Sequence, residues 1–89
     1  MMYYVYVIVS KDADDVYIGY TEDLKKRIQA HNREKNTSTK GKRWKLAYYE
    51  AFCSKADAYD REQKLKDHGQ AKRWLFERIE HCFPEEYSN

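Results

Sequence analysis

From residue 3 to residue 9 nearly every position is aromatic or β-branched, and that density predicts a strand buried on both faces. Alternation sends Tyr4, Tyr6 and Ile8 to one side and Tyr3, Val5, Val7 and Val9 to the other. The polar stretch from Ser10 to Asp15 is short enough for a hairpin loop. Residues 16–20 then form a second β-rich run with Tyr17 and Gly19 on one face. Thr21 reads as a helix N-cap with Glu22 and Asp23 in the first turn, so a helix is expected over about residues 22–32. Leu24 and Ile28 make its apolar stripe, and Arg27 and His31 lie along one edge of that stripe.

Residues 33–43 are rich in Asn, Ser, Thr, Lys and Gly and read as a loop, followed by a third strand over 44–52. Ser54 with Asp57 three positions on resembles a capping box, and Gly69 is a plausible C-cap, which bounds a second helix of about 14 residues. Ala58, Tyr59 and Leu65 form its apolar face. Glu62 falls inside that arc, where a carboxylate is costly unless it is paired or binds a cation. A last helix is expected over 70–82, with Ala71, Leu75 and Ile79 spaced by four and Trp74 beside them as core. The pattern is that of an α+β domain; periodicity alone permits several arrangements of these elements.

Composition narrows the class. Eighty-nine residues with 42% hydrophobic and 36% charged side chains describe one small soluble domain over 1–89. Nine of the fourteen aromatic residues are Tyr, so hydroxyls accompany the buried rings. No apolar run approaches the roughly 18–20 residues that cross a bilayer, and no basic leader follows Met1-Met2. A cytoplasmic protein without membrane contact is the expectation, with Cys53 and Cys82 as free thiols. Those cysteines, His68 and His81 lack paired zinc-ligand spacing, and no serine sits in a nucleophile turn.

Net charge is only +2, but its distribution is uneven. Between Arg33 and Lys45 six basic residues, including Lys35, Lys40, Lys42 and Arg43, face the single acid Glu34, a local excess of +5. Such a run is either a solvated loop or an arm that contacts phosphates. Taken singly, the strand tyrosines, the Arg27/His31 helix edge and a Glu62–Lys66 pair one turn apart all have ordinary structural explanations.

Their order along the chain resembles the GIY-YIG nuclease family. Tyr4-Val5-Tyr6 stands where that family has Gly-Ile-Tyr, so Tyr4 replaces its glycine, and Tyr17-Ile18-Gly19 is present in full. Thr21, Leu24, Arg27 and His31 follow at the spacing of the family helix. The run from Asp60 to Lys66 resembles the helix that bears the metal-binding glutamate. The stretch from Gly69 to Trp74 looks like the small URI-type, YhbQ-like subgroup, and the resemblance spans roughly residues 3–80.

The resemblance implies a three-stranded antiparallel sheet flanked by helices, and a metal-dependent DNA endonuclease that ignores base sequence or selects DNA structure, with roles such as repair or recombination. Tyr6 is then the favoured general base, helped by His31 as proton acceptor. Tyr17 orients water or substrate, although the two tyrosines can exchange these roles. Arg27 clamps nonbridging phosphate oxygens, Glu62 holds one Mg²⁺ or Mn²⁺, and Gly19 lets the backbone approach closely. The basic loop with Lys64, Lys66, Lys72 and Arg73 would hold the backbone of duplex, branched or single-stranded DNA. No obligate protein partner is evident. The competing class is a nucleic-acid-binding module that keeps the fold with little or no cleavage.

Overall fold

The computed structural model describes residues 1–10, 15–33 and 43–82. Its elements run β1 (Tyr3–Ser10), β2 (Val16–Thr21), α1 (Leu24–Arg33), β3 (Trp44–Phe52), α2 (Lys55–Asp67) and α3 (Gly69–Arg78), closed by a 3₁₀ turn at Glu80–Cys82. The three strands form one antiparallel sheet in the order β2-β1-β3. β1 is therefore the central strand, and Val5 to Ser10 are all buried, as a continuous apolar run implies.

Both neighbours run antiparallel to β1, so they point the same way as each other, and α1 carries the chain from one sheet edge to the other. It crosses the face that holds Tyr6, Ile8 and Trp44, with Leu24, Ile28 and Leu46 packed against them. α2 and α3 cover the opposite face, where Val5, Val7 and Ile18 meet Ala58, Leu65, Leu75 and Ile79. The β1–β3 register shifts by one residue between Val7, opposite Tyr48, and Ile8, opposite Leu46. Ala47 is the extra residue, and this bulge lets Leu46 and Trp44 join the Tyr6 face while Tyr48 and Glu50 serve the other.

Several local expectations are corrected by the helix ends. The N-cap of α1 is Asp23, whose Oδ1 accepts from Lys26 N at 3.1 Å and whose carbonyl accepts from Arg27 N at 3.0 Å. Thr21 ends β2 instead, its Oγ1 accepting from Asp23 N at 3.1 Å. Ser54 does cap α2, accepting from Asp57 N at 3.2 Å. The C-cap is His68 with extended backbone, and the same residue N-caps α3, so Gly69 opens a helix rather than closing one. Tyr59 and Trp74 lie outside the core at 49% and 60% exposure. Tyr59 stacks on Tyr20 at 4.9 Å, and Tyr20 in turn stacks on Tyr3.

One ion pair ties β3 to α2. The Arg61 guanidinium donates to both Glu50 carboxylate oxygens, at 2.9 Å from Nη2 and 3.0 Å from Nε, and Tyr48 Oη donates at 2.7 Å. Burial would raise the Glu50 carboxyl, but these hydrogen bonds and the Arg61 and Arg78 charges outweigh it and hold it below the ordinary value of 4.5. A carboxyl depressed in the folded state stabilises the protein above its unfolded pKa, and that stability is lost as pH falls through the folded value. Glu50→Gln should therefore lower the urea midpoint near neutrality and flatten its decline below about pH 4.5 relative to the parent chain.

Candidate active site

The register of the central strand assembles the site. Tyr6 lies directly opposite Gly19 of β2 and Tyr49 of β3, so all three share the face that α1 crosses. Tyr17, two positions before Gly19, points the same way. The Tyr6 ring lies across Gly19: a Cβ there would sit 2.5 Å from Tyr6 Cζ and 2.9 Å from Tyr17 Cε1, and would meet Tyr6 Oη as well. The glycine of the second motif thus makes room for the tyrosine of the first.

α1 completes the cluster from above. His31 is 2% exposed and is the one fully buried residue of that helix, deeper than the edge position its spacing suggests. Its Nε2 is 2.8 Å from Tyr6 Oη, and Arg27 Nε donates to the same oxygen at 3.3 Å. The phenol oxygen accepts from Arg27 and shares a second hydrogen bond with His31 Nε2, in which Tyr6 is the donor when the imidazole carries its hydrogen on Nδ1. Tyr17 packs on the His31 ring with centroids 4.7 Å apart, and Trp44 lies 6.3 Å from it. Tyr17 adds, after Tyr6, to the electrostatic stabilisation of the Arg27 guanidinium.

Electrostatically the Tyr6 phenol is held protonated. Burial pushes it above 10.0; the Arg27 hydrogen bond and charge pull the other way but do not prevail, and Tyr17 and Glu62 add to the rise. The Arg27 guanidinium is stabilised in turn, first by its hydrogen bond to Tyr6.

No hydrogen bond or ion pair joins Glu62 to this cluster among the described residues. It is 8% exposed on α2, and its charge raises Tyr6. Lys66 Nζ lies 3.2 Å from its Oε2, the helical pair one turn apart. The donor set fits a divalent ion in a limited sense: an inward carboxylate already draws a cation. Among the described residues no group of three or more His, Cys, Asp or Glu side chains comes together. Such an ion on Glu62 would take water and substrate phosphate for its other ligands, as Mg²⁺ commonly does.

The expected nucleic-acid surface is redistributed. Lys35, Lys40 and Lys42 lie outside the described residues, and Arg43 is exposed at the start of β3. Lys64 is paired with Asp60 at 2.9 Å and Lys66 with Glu62, so both carry partners within α2. Lys72 sits over the Phe76 ring on α3, where Arg73 is exposed. A different groove opens beside Arg27: a hollow of about 450 Å³ along α1 is lined by Lys26, Arg27 and Arg33, with Thr21 and the acid Asp23 at one end. The signal for it was present, since α1 carries Lys25, Lys26, Arg27 and Arg33 and no acid. Asn32 was also missed; its Oδ1 accepts from Trp44 N at 2.6 Å and its Nδ2 donates to Trp44 O at 3.1 Å. That double bond pins the end of α1 to the start of β3 and fixes His31, yet its partner is too far along the chain for any spacing rule to mark it.

Two outcomes test this arrangement. Gly19→Ala should displace the Tyr6 ring, lowering the melting temperature and altering the near-ultraviolet circular dichroism. Because the folded Tyr6 pKa exceeds that of the unfolded chain, the unfolded state releases its proton first, and stability falls as pH rises above 10.0. Tyr6→Phe should remove that part of the alkaline loss in urea titrations.

Residues 2–74 match the model of the GIY-YIG catalytic domain. The chain is 43% identical over 68 residues to a UPF0213 protein of Clostridium perfringens, covering 73% of this chain and 71% of that one. Against a UPF0213 protein of Bacillus pumilus the identity is 36% over 76 residues, covering 83% and 76%. The solution NMR structure of a UPF0213 protein from Bacillus halodurans aligns with a TM-score of 0.54 at 30% identity, covering 89% of this chain and 87% of that one. Sheet order, the Tyr6–Gly19 packing and these matches lead to one conclusion: the chain belongs to the GIY-YIG family and carries its nuclease fold.

Proposed function

We propose that the protein is a divalent-metal-dependent endonuclease that hydrolyses phosphodiester bonds in DNA, holding the backbone without reading base sequence. The observation that supports this best is the hydrogen-bonded line from Arg27 through Tyr6 to His31, set beside a groove lined by Lys26 and Arg33. A phosphate placed against Arg27 meets a planar guanidinium whose Nη groups can contact nonbridging oxygens while Nε stays on Tyr6.

Attack by water on phosphorus breaks the bond to the leaving oxygen and frees a proton from the water. Tyr6 is fully buried at rest, so the step requires substrate to open a path to its Oη; that oxygen then receives the proton as its own passes to His31 Nε2, neutral with its hydrogen on Nδ1, and no free phenolate has to form. In this concerted route the net proton acceptor is the His31 imidazole, so the raised Tyr6 pKa does not have to be overcome by ionising the phenol. Tyr17, packed on the His31 ring, helps keep the imidazole in place. Glu62 would hold the Mg²⁺ or Mn²⁺, which when bound supplies Lewis-acid stabilisation of the leaving oxygen. Branched, gapped or single-stranded DNA of the kind met in repair and recombination suits a protein that grips backbone alone.

The rival reading, a binding module with the nuclease fold, is favoured by Lys66 sitting on Glu62, where a bound cation would have to displace it. Nicking of supercoiled plasmid with Mg²⁺ or Mn²⁺ separates the two, run beside branched and single-stranded DNA with a chelator control. Wild type should nick, chelation should abolish it, and Arg27→Ala and Glu62→Ala should each lose on the order of 10²–10³-fold in rate with their circular dichroism unchanged. Salt-sensitive binding with no cleavage of any substrate would install the rival.

A further inference from the structure

Three large aromatic side chains of the strands and helices are exposed: Tyr49, Tyr59 and Trp74. Tyr59 spends one ring face on Tyr20, and Trp74 lines a small hollow between α2 and α3 with Lys64 and His68. Tyr49 is different, because it is the cross-strand partner of Tyr6 and half its surface, 51%, is in solvent beside the site. α1 does not cover this end of the sheet face: Ala51, the next residue of β3 on that side, is exposed too. Tyr4 meets Tyr49 in a T-shaped contact at 5.9 Å and 65°. A T-shaped pair joins an edge to a face, so Tyr4 leaves at least one face of the Tyr49 ring uncovered, and half of the side chain is in solvent.

We propose that Tyr49, braced by Tyr4, is a stacking subsite for an unpaired nucleobase adjoining the phosphate at Arg27 and Tyr6, which makes single-stranded DNA the preferred substrate. This rests on the reading of the tyrosine cluster as a phosphodiester site. Neighbouring strands lie about 4.7–4.9 Å apart, and the Tyr6 hydroxyl lies over Gly19 of β2, so Tyr49 on β3 stands about two strand spacings from it, a reach suited to a base next to the bound phosphate along the strand. In a duplex both faces of every base are covered by stacking, and only an unpaired or everted base can lie on the tyrosine. Base stacking on an aromatic side chain is tolerant of sequence, in keeping with a domain that grips backbone, and strengthens binding by about 5- to 150-fold per base.

The test is fluorescence anisotropy in the presence of chelator, so that binding is read without cleavage. Three labelled probes of equal length are compared: oligothymidylate, the same backbone made wholly of abasic nucleotides, and a duplex. Tyr49→Ala should weaken oligothymidylate binding at least about 5-fold and leave the abasic and duplex probes unchanged, and Tyr49→Trp should restore or exceed wild-type affinity. Equal weakening on all three probes, or none on oligothymidylate, overturns the proposal. Nicking that persists beside such a result would leave the nuclease reading standing and sink only the subsite. Absence of binding by wild type to every probe would sink both.

Discussion

A phenol buried in the middle of a central strand must find hydrogen-bond partners, and the remainder of the site follows from meeting that demand. Tyr6 is fully buried on β1, so its hydroxyl has no water to fall back on. The crossover helix supplies Arg27 and His31 one turn apart, which brings two hydrogen-bond partners to the same oxygen. Gly19 gives the ring its room, and Asn32 fixes the helix that carries its partners by gripping both backbone polar groups of Trp44. Each of these residues is explained by Tyr6 before any reaction is invoked. The same polarised hydroxyl, lying beside an arginine that opens onto a basic groove, is also what phosphodiester chemistry requires.

The bulge at Ala47 matters for the division of labour between the two faces. By changing which side chains of β3 point where, it gives the α1 face Trp44 and Leu46 and gives the other face Tyr48 and Glu50. Glu50 then binds Arg61, which anchors α2 and so sets the position of Glu62 one residue further on. The carboxylate and the tyrosine cluster are therefore held by different elements of the domain. Their coupling is electrostatic, and its sign is unfavourable to a free phenolate, since the Glu62 charge raises Tyr6 along with burial.

The strands were legible in the sequence because they depend on local patterns. The aromatic and β-branched run of β1 and the span of β3 are where alternation and propensity put them, and the family resemblance supplied the three-stranded arrangement. Failures cluster where a local signal had two readers. Thr21 and Asp23 are both good caps, and the extent of β2 decided for Asp23. Gly69 suggested a left-handed stop, but His68 turns the chain in extended backbone and serves both helices. Trp74 and Tyr59 looked like core by spacing, yet the sheet is too narrow to cover them once Ala58, Leu65 and Leu75 are seated. The environment of His31 and the pairing of Asn32 with Trp44 are tertiary facts that no periodicity encodes.

Burial makes Tyr6 a worse base in isolation and a better relay in company. An exposed tyrosine near an arginine would ionise more readily, but it would also exchange protons with bulk water and hold no fixed direction. The buried one keeps its proton, has His31 Nε2 as a fixed hydrogen-bond partner at 2.8 Å, and as a relay passes its proton on only when another arrives at its oxygen. Proton uptake from an attacking water and proton release to His31 are thereby tied into one event. The cost of desolvating the phenol is met in the resting fold by Arg27, whose nonbonded nitrogens remain available to a phosphate. On this view the raised pKa is a consequence of the pre-organisation that lets the phenol work as a relay, and the imidazole behind it carries the basicity.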